Sequence, residues 1–290
     1  MPTRRMLWVA LSLASVVLMA VSSAAGLYWP GAYFNETASW ASQGIGQDLV
    51  NVVVVCPALL VAAYFVARGS VRGLLVWLGL LIYVIYSYVL YAFFVHFHRL
   101  FLAYVATLGL AFWAFLGATA SLDLDSLGRI LDRGRSYRGQ VIYLTASGLL
   151  FATLWLRAIV PALVSGVTPD DVREVGLPVN PIHVLDLAFI LPAMVVTAML
   201  LRRRHAVGLV FAVPLMTFAA AMGGAIVGMS IVMQRRGLGT ATGTVGVLVV
   251  LIAIALGLTF TFLRETRDGG AGTPTAELER FRAAGETRSG

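Results

Sequence analysis

Eight apolar stretches recur along the chain, near residues 6–25, 49–67, 74–95, 100–121, 141–164, 182–201, 206–232 and 243–264. Each approaches or exceeds the roughly 20 residues a helix needs to cross the hydrocarbon of a bilayer. A soluble domain carries about a quarter charged residues. Here the charged share is 12%, the hydrophobic share 59% and the mean hydropathy +0.87. Lipid must therefore be the solvent for most of the chain. Every crossing must then be helical, because backbone N–H and C=O groups in hydrocarbon have to be satisfied within their own segment. The expected fold is all-α, a polytopic transmembrane bundle of about eight helices.

Direction follows from arginine. All 21 basic residues are arginines and there is no lysine. With the N-terminus in the cytoplasm, sixteen fall in cytoplasmic segments, namely Arg4, Arg5, Arg68, Arg72, Arg129, Arg133, Arg135, Arg138, Arg202, Arg203, Arg204, Arg264, Arg267, Arg280, Arg282 and Arg288. Four fall outside, Arg99, Arg173, Arg235 and Arg236, and Arg157 lies within a helix. That asymmetry is a positive-inside pattern with both termini cytoplasmic. The net charge of +7 thus serves topology and anionic headgroups rather than nucleic acid. Arginine-only usage with abundant Ala, Gly and Val points to a GC-rich bacterial source, and so to the cytoplasmic (inner) membrane. The missing lysine excludes a retinal Schiff base, and the single Cys56 excludes an internal disulfide or a CxxC redox pair.

The first stretch has two readings. Arg4–Arg5, an apolar run and Ser22-Ser23-Ala24-Ala25 resemble a secretory signal, whose removal would leave seven helices. Retention is favoured by the length of the run and by an internal repeat at an offset of 135 residues. In that repeat Asn51 followed by Pro57-Ala58 answers to Asp186 followed by Pro192-Ala193. Val61, Ala63, Arg68, Gly73 and Leu74 match Val196, Ala198, Arg203, Gly208 and Leu209, giving seven identities over positions 48–74. Two parallel four-helix halves are expected, 1–121 and 141–266, related by an axis along the membrane normal. Residues 122–140 read as a cytoplasmic amphipathic connector, and 267–290, rich in Gly, Thr and Glu, as a disordered tail. The outer loop from Tyr28 to Asp48, with Tyr28, Trp29, Tyr33, Phe34 and Trp40, reads as an aromatic anchor in the headgroup zone.

Polar groups in the apolar stretches are the candidates for function. Arg157 and Asp186 lie at similar depth, so they can form an ion pair that either fixes helix register or lines a pathway. Tyr83, Ser87 and Tyr91 form one stripe of the third helix, which must face the bundle because hydroxyls need partners in lipid. Its counterpart offers Gly224-x-x-x-Gly228, a smooth surface for close approach. Pro57 and Pro192 loosen helices that carry Asn51 and Asp186 six residues earlier. His96, His98 and His183 sit towards the outer side, and His183-x-x-Asp186 shares one helix face. Together these four are a weak metal-ligand or haem set.

Three classes of function remain open. A small-solute or ion permease, or ligand-binding membrane protein, would use a vestibule of Asn51, Tyr83, Tyr91, Arg157 and Asp186. A membrane enzyme would use a metal or haem at His96, His98, His183 and Asp186. A non-catalytic partner or sensor subunit would need neither. The repeat, the kinked helices and the sparse catalytic groups favour the first.

Overall fold

A computed structural model describes residues 2–132, 134–239 and 242–266; the expected tail and Arg133 lie outside them. Every regular element among these residues is helical. The long helices are α1 (Pro2–Tyr28), α4 (Val71–Phe94), α5 (Phe101–Ala120), α7 (Arg138–Ser165), α11 (Ala206–Arg235) and α12 (Thr242–Glu265). Two further crossings are composite. In the first, α2 (Ala38–Val50) runs through a π-helical turn (Asn51–Val55) into α3 (Cys56–Ala67). In the second, α9 (Pro181–Leu185) runs through a π turn (Asp186–Ile190) into α10 (Leu191–Arg202). Short α6 (Leu124–Leu131) and α8 (Asp170–Val175) lie in connections. Eight helices are long and apolar enough to span a membrane, so this is an integral membrane protein with a multi-pass helical bundle.

Local chemistry sets the boundaries. Ser70 caps α4 by accepting from Gly73 N–H, and Asp123 caps α6 by accepting from Ser126 N–H. α7 ends at Gly166, whose φ of 68° suits glycine best. α6 is amphipathic, as its alternation of leucines with Asp and Arg suggests. Its Leu127, Gly128 and Leu131 are buried, and Gly128 lets it close on Ala206 at the start of α11.

The second crossing differs from expectation. It begins at Ala38 rather than near 49, so much of the supposed aromatic loop is helix. Trp40 is buried and donates to the Phe94 carbonyl (3.0 Å), and buried Tyr33 donates to Asp48 (2.5 Å). Of the expected anchors, Tyr28 and Phe34 are the strongly exposed ones. Ser39, Ser42, Gln47 and Asp48 lower the hydropathy of this stretch, but all four are buried against the bundle. A hydropathy window cannot distinguish polar groups facing protein from polar groups facing water.

Packing centres on α4 and α11. Trp77, Tyr83 and Tyr88 of α4 are fully buried, and Trp77 Nε1 donates to Ser12 Oγ of α1 (3.1 Å). Lipid removes the hydrophobic drive between helices, so close backbone approach and interhelical hydrogen bonds must hold them. α2 meets α11 at Gly46 and Gly228, where an added Cβ on Gly46 would lie 2.3 Å from the Met229 Cα. α4 meets α11 at Gly79, where a Cβ would come 2.5 Å from the Pro214 carbonyl. Of the expected Gly224-x-x-x-Gly228 surface, one glycine serves close approach and the other does not. Gly228 receives α2, and Gly224 faces open space.

One end of the bundle is arginine-rich. Arg135 pairs with Glu265 (2.5 Å), donates to the Phe262 carbonyl (3.0 Å) and stacks on Tyr137 and Phe262. Arg72 donates to the Thr266 carbonyl (2.7 Å), and Arg204 pairs with Asp132 (2.5 Å). Arg135 and Arg72 thereby satisfy carbonyls left open at the C-terminus of α12 and complement its dipole. The opposite end carries the aromatic segment 29–37, the 95–100 connection and α8.

Candidate functional site

Asn51 and Asp186 each open a π turn. The Cys56 N–H bonds the Asn51 carbonyl, and the Leu191 N–H bonds that of Asp186, five residues back in both cases. Pro57 and Pro192 follow directly. A proline in an α-helix lacks a donor and its ring presses on the carbonyl four residues earlier. One extra residue in the turn relieves this, and it offsets the faces before and after the turn by about 100°. The 135-residue shift thus maps one π turn onto the other and Cys56–Ala67 onto Leu191–Arg202.

The two π turns lead to different surroundings. Asn51 is fully buried, accepting from Tyr83 Oη (2.8 Å) and donating to Ser23 Oγ (3.1 Å). A polar network continues from it through the first half. Tyr91 and Tyr33 donate to Asp48 (2.8 and 2.5 Å), Tyr88 pairs with Ser22 (2.7 Å), and Tyr104 packs on Tyr91. Beside it lies a cavity of about 20 Å³ next to Tyr33, Gln47 and Tyr91, room for about one water.

Asp186, by contrast, lies on the wall of a cavity of about 360 Å³ between α4, α7, α10, α11 and α12. Tyr86 Oη donates to its Oδ1 (3.0 Å) and Trp155 Nε1 to its Oδ2 (2.9 Å). Two neutral donors thus hold the carboxylate, and no cation pairs with it among the described residues. Asp171 and Glu174 of α8 line the same cavity. Glu174 accepts from Ser39 Oγ (2.7 Å) and Asp171 from Asn180 Nδ2 (2.8 Å). His183 stacks on Trp155 with ring centroids 4.7 Å apart; its Nε2 is 3.2 Å from Asp171 Oδ2 but is not aligned for a hydrogen bond. The remaining wall is mainly apolar, with Gln43, Ser147, Asn180 and Ser230 among its polar residues, and includes Phe218, Leu251 and the pliable Met194, Met222, Met229 and Met233. Among the described residues, no arginine lines it.

The sequence candidates therefore divide. Asn51 and Tyr83 come together, Tyr91 joins the same buried network through Asp48, and Asp186 stands in the open cavity. A single vestibule of all five is not formed. Arg157 is exposed on α7, and no ion pair involves it among the described residues, so the expected Arg157–Asp186 pair is corrected. A Trp155 donor and a Tyr86 donor take its place. The expected metal or haem set is also dispersed. His96 bonds Glu36 (3.0 Å), His98 packs between Trp29 and Tyr104, and His183 lies with Asp171. Among the described residues, no three His, Cys, Asp or Glu side chains converge as metal ligands.

Burial lowers the pKa of His98 below its ordinary value, against the opposing pull of Glu36. Sequence reasoning missed Trp155, Asp171 and Glu174. The signal for Trp155 was an indole N–H in an apolar helix, which must find an acceptor. No family model matches this sequence, and no match to it is found among curated proteins or solved structures.

Proposed function

We propose that this protein binds a small organic cation with an apolar body in the Asp186 cavity, as a ligand-binding membrane protein or a permease for such solutes. The observation that carries this reading is the combination of three carboxylates, Asp171, Glu174 and Asp186, with aromatic and apolar walls and no basic side chain. A carboxylate beside an indole and a phenol ring suits a positive charge through ionic and cation–π attraction. An anionic ligand would meet three carboxylates and, among the described residues, no basic side chain to offset them. The methionines let one wall adapt to ligands of differing shape.

The arginine asymmetry supports a cytoplasmic arginine-rich end, with the acidic cavity towards the outer face of a bacterial cytoplasmic membrane. The shared π turns support two parallel four-helix halves, of which the first is closed and structural and the second open.

Saturation binding of benzyltrimethylammonium to detergent-purified protein tests the assignment, with Trp155 fluorescence as one readout. Losing a charge-assisted contact of about 1.5–3 kcal/mol weakens binding roughly 10- to 150-fold, so Asp186→Asn should fall in that range. Unchanged affinity in a folded Asp186→Asn protein would refute it.

A further inference from the structure

The two halves differ in how their outer helices close. In the first half α1 and α5 pack along their length. The Trp8 indole lies on Gly117, where an added Cβ would come 2.5 Å from the ring, and donates to Ser121 Oγ (3.3 Å). Ala111, Ala114 and Ala118 of α5 are buried. In the second half α7 and α12 meet at the arginine-rich end. There Gly139 fits against Leu258, and Gln140 Nε2 donates to the Leu258 carbonyl (3.4 Å). Beyond Gly148, α7 buries no residue at all. The pair therefore splays open towards the end that carries Asp186.

Two grooves run along α7, the first between it and α12 and the second between it and α8. One of about 700 Å³ shares Tyr143, Ser147 and Leu251 with the Asp186 cavity. The other, of about 810 Å³, shares Phe151, Trp155 and Leu248 with it. The first is lined mainly by apolar side chains, whereas the second also carries Asp170, Asp171, Arg173 and His183. From Trp155, bonded to Asp186, down to Ile142 on the groove wall is thirteen residues, roughly 20 Å of helix. That is the reach of a long alkyl chain.

Resting on the ligand-site assignment above, we infer that the ligand is a long-chain amphiphilic amine that enters sideways from the bilayer between α7 and α12. Its ammonium group sits at Asp186 beside Trp155 and Tyr86, and its alkyl tail lies in the seam. Charge complementarity selects the headgroup, since the cavity offers carboxylates and no arginine. A phospholipid phosphate would meet no basic side chain among the described residues of that cavity, and Arg173 in the adjoining groove is paired with Asp170. The splayed seam gives the tail a route that never leaves hydrocarbon.

The test uses the full-length protein in vesicles of zwitterionic lipid and a long-chain alkylamine with a terminal diazirine. After photolysis, the marked peptides are mapped by mass spectrometry. Saturable marks are expected on α7 around Ile142–Leu150 and on α12 around Leu251–Leu258. Unlabelled amine should displace them, a fatty acid of equal length should not, and Asp186→Asn should weaken them about tenfold. Ala146→Trp, at an exposed groove position, should lower affinity for the long amine about tenfold while leaving benzyltrimethylammonium binding unchanged. Saturable, Asp186-dependent marks confined to residues 29–37 or 166–180 would overturn the lateral seat while sparing the cation site. Marks spread over all lipid-facing helices without competition would overturn it too. Failure of benzyltrimethylammonium itself to bind would bring down the ligand-site assignment first.

Discussion

Replacing Asn51 by Ala removes the acceptor of Tyr83 Oη (2.8 Å) and the donor to Ser23 Oγ (3.1 Å), both in a region sealed from solvent. Two net hydrogen bonds at about 0.5–1.5 kcal/mol each are lost, and the stranded Tyr83 hydroxyl costs about 1–3 kcal/mol more. Interhelical bonds in membranes average nearer about 0.6 kcal/mol. Ser87 Oγ, buried beside Tyr83, can also receive part of the displaced bonding. Both effects pull the expected cost to about 2–3 kcal/mol. Tyr83→Phe alone should cost about 1 kcal/mol. Combining the two removes the stranded hydroxyl, so the double variant should be no less stable than Asn51→Ala, with a coupling of about 1–2 kcal/mol. Reversible unfolding in mixed micelles, measured on the four proteins of the cycle, gives these values directly. Strictly additive effects would show that the pair does not interact, and the account of Asn51 as the centre of a closed buried network would fail.

Other substitutions separate neighbouring effects. Gly228→Ala would place a Cβ 2.6 Å from Val50 and 2.8 Å from the Gly46 carbonyl, so it should destabilise by about 1–3 kcal/mol. Gly224→Ala, four residues away with nothing within 4 Å, should be neutral or stabilising by about 0.5–1 kcal/mol; thermal unfolding in detergent compares them. Burial holds the His98 pKa below its unfolded value, so the folded state binds fewer protons there. Its contribution is complete above about pH 6.5 and is lost as pH falls through the lower folded pKa. Melting curves from pH 7.5 to 5 should show that loss, and His98→Gln should remove that component of the slope. Trp155→Phe keeps the ring but deletes one of the two donors to Asp186, so cation affinity should drop less than with Asp186→Asn; an equal or larger drop would mean that the indole N–H, not the carboxylate, dominates.

Much of the bundle was legible because its signals are local. Apolar runs mark crossings, arginines mark their ends, and Asn51–Pro57 and Asp186–Pro192 mark two helices that share a π turn. The stripe of Tyr83, Ser87 and Tyr91 faced inward for the reason the sequence supplies, that hydroxyls need partners in lipid. What was hidden depends on which helix lies opposite. Asp186 looked as though it needed Arg157, since depth was the only coordinate available. Depth says nothing of azimuth, and Trp155, two residues away on the same helix, points the other way. Trp40 and Asp48 sat in a stretch polar enough to resemble a loop, because its burial comes from Tyr33, Tyr91 and the close approach of α11. The three histidines share an end of the molecule but not a place in it.

Comparing a long-chain trimethylammonium amphiphile with its neutral isostere, carbon in place of nitrogen, tests the cavity most directly. Equilibrium binding to the purified protein in zwitterionic nanodiscs should favour the cation by about tenfold or more, and Asp186→Asn should abolish that preference. Equal binding of the two ligands to the unaltered protein would contradict a cation site at Asp186.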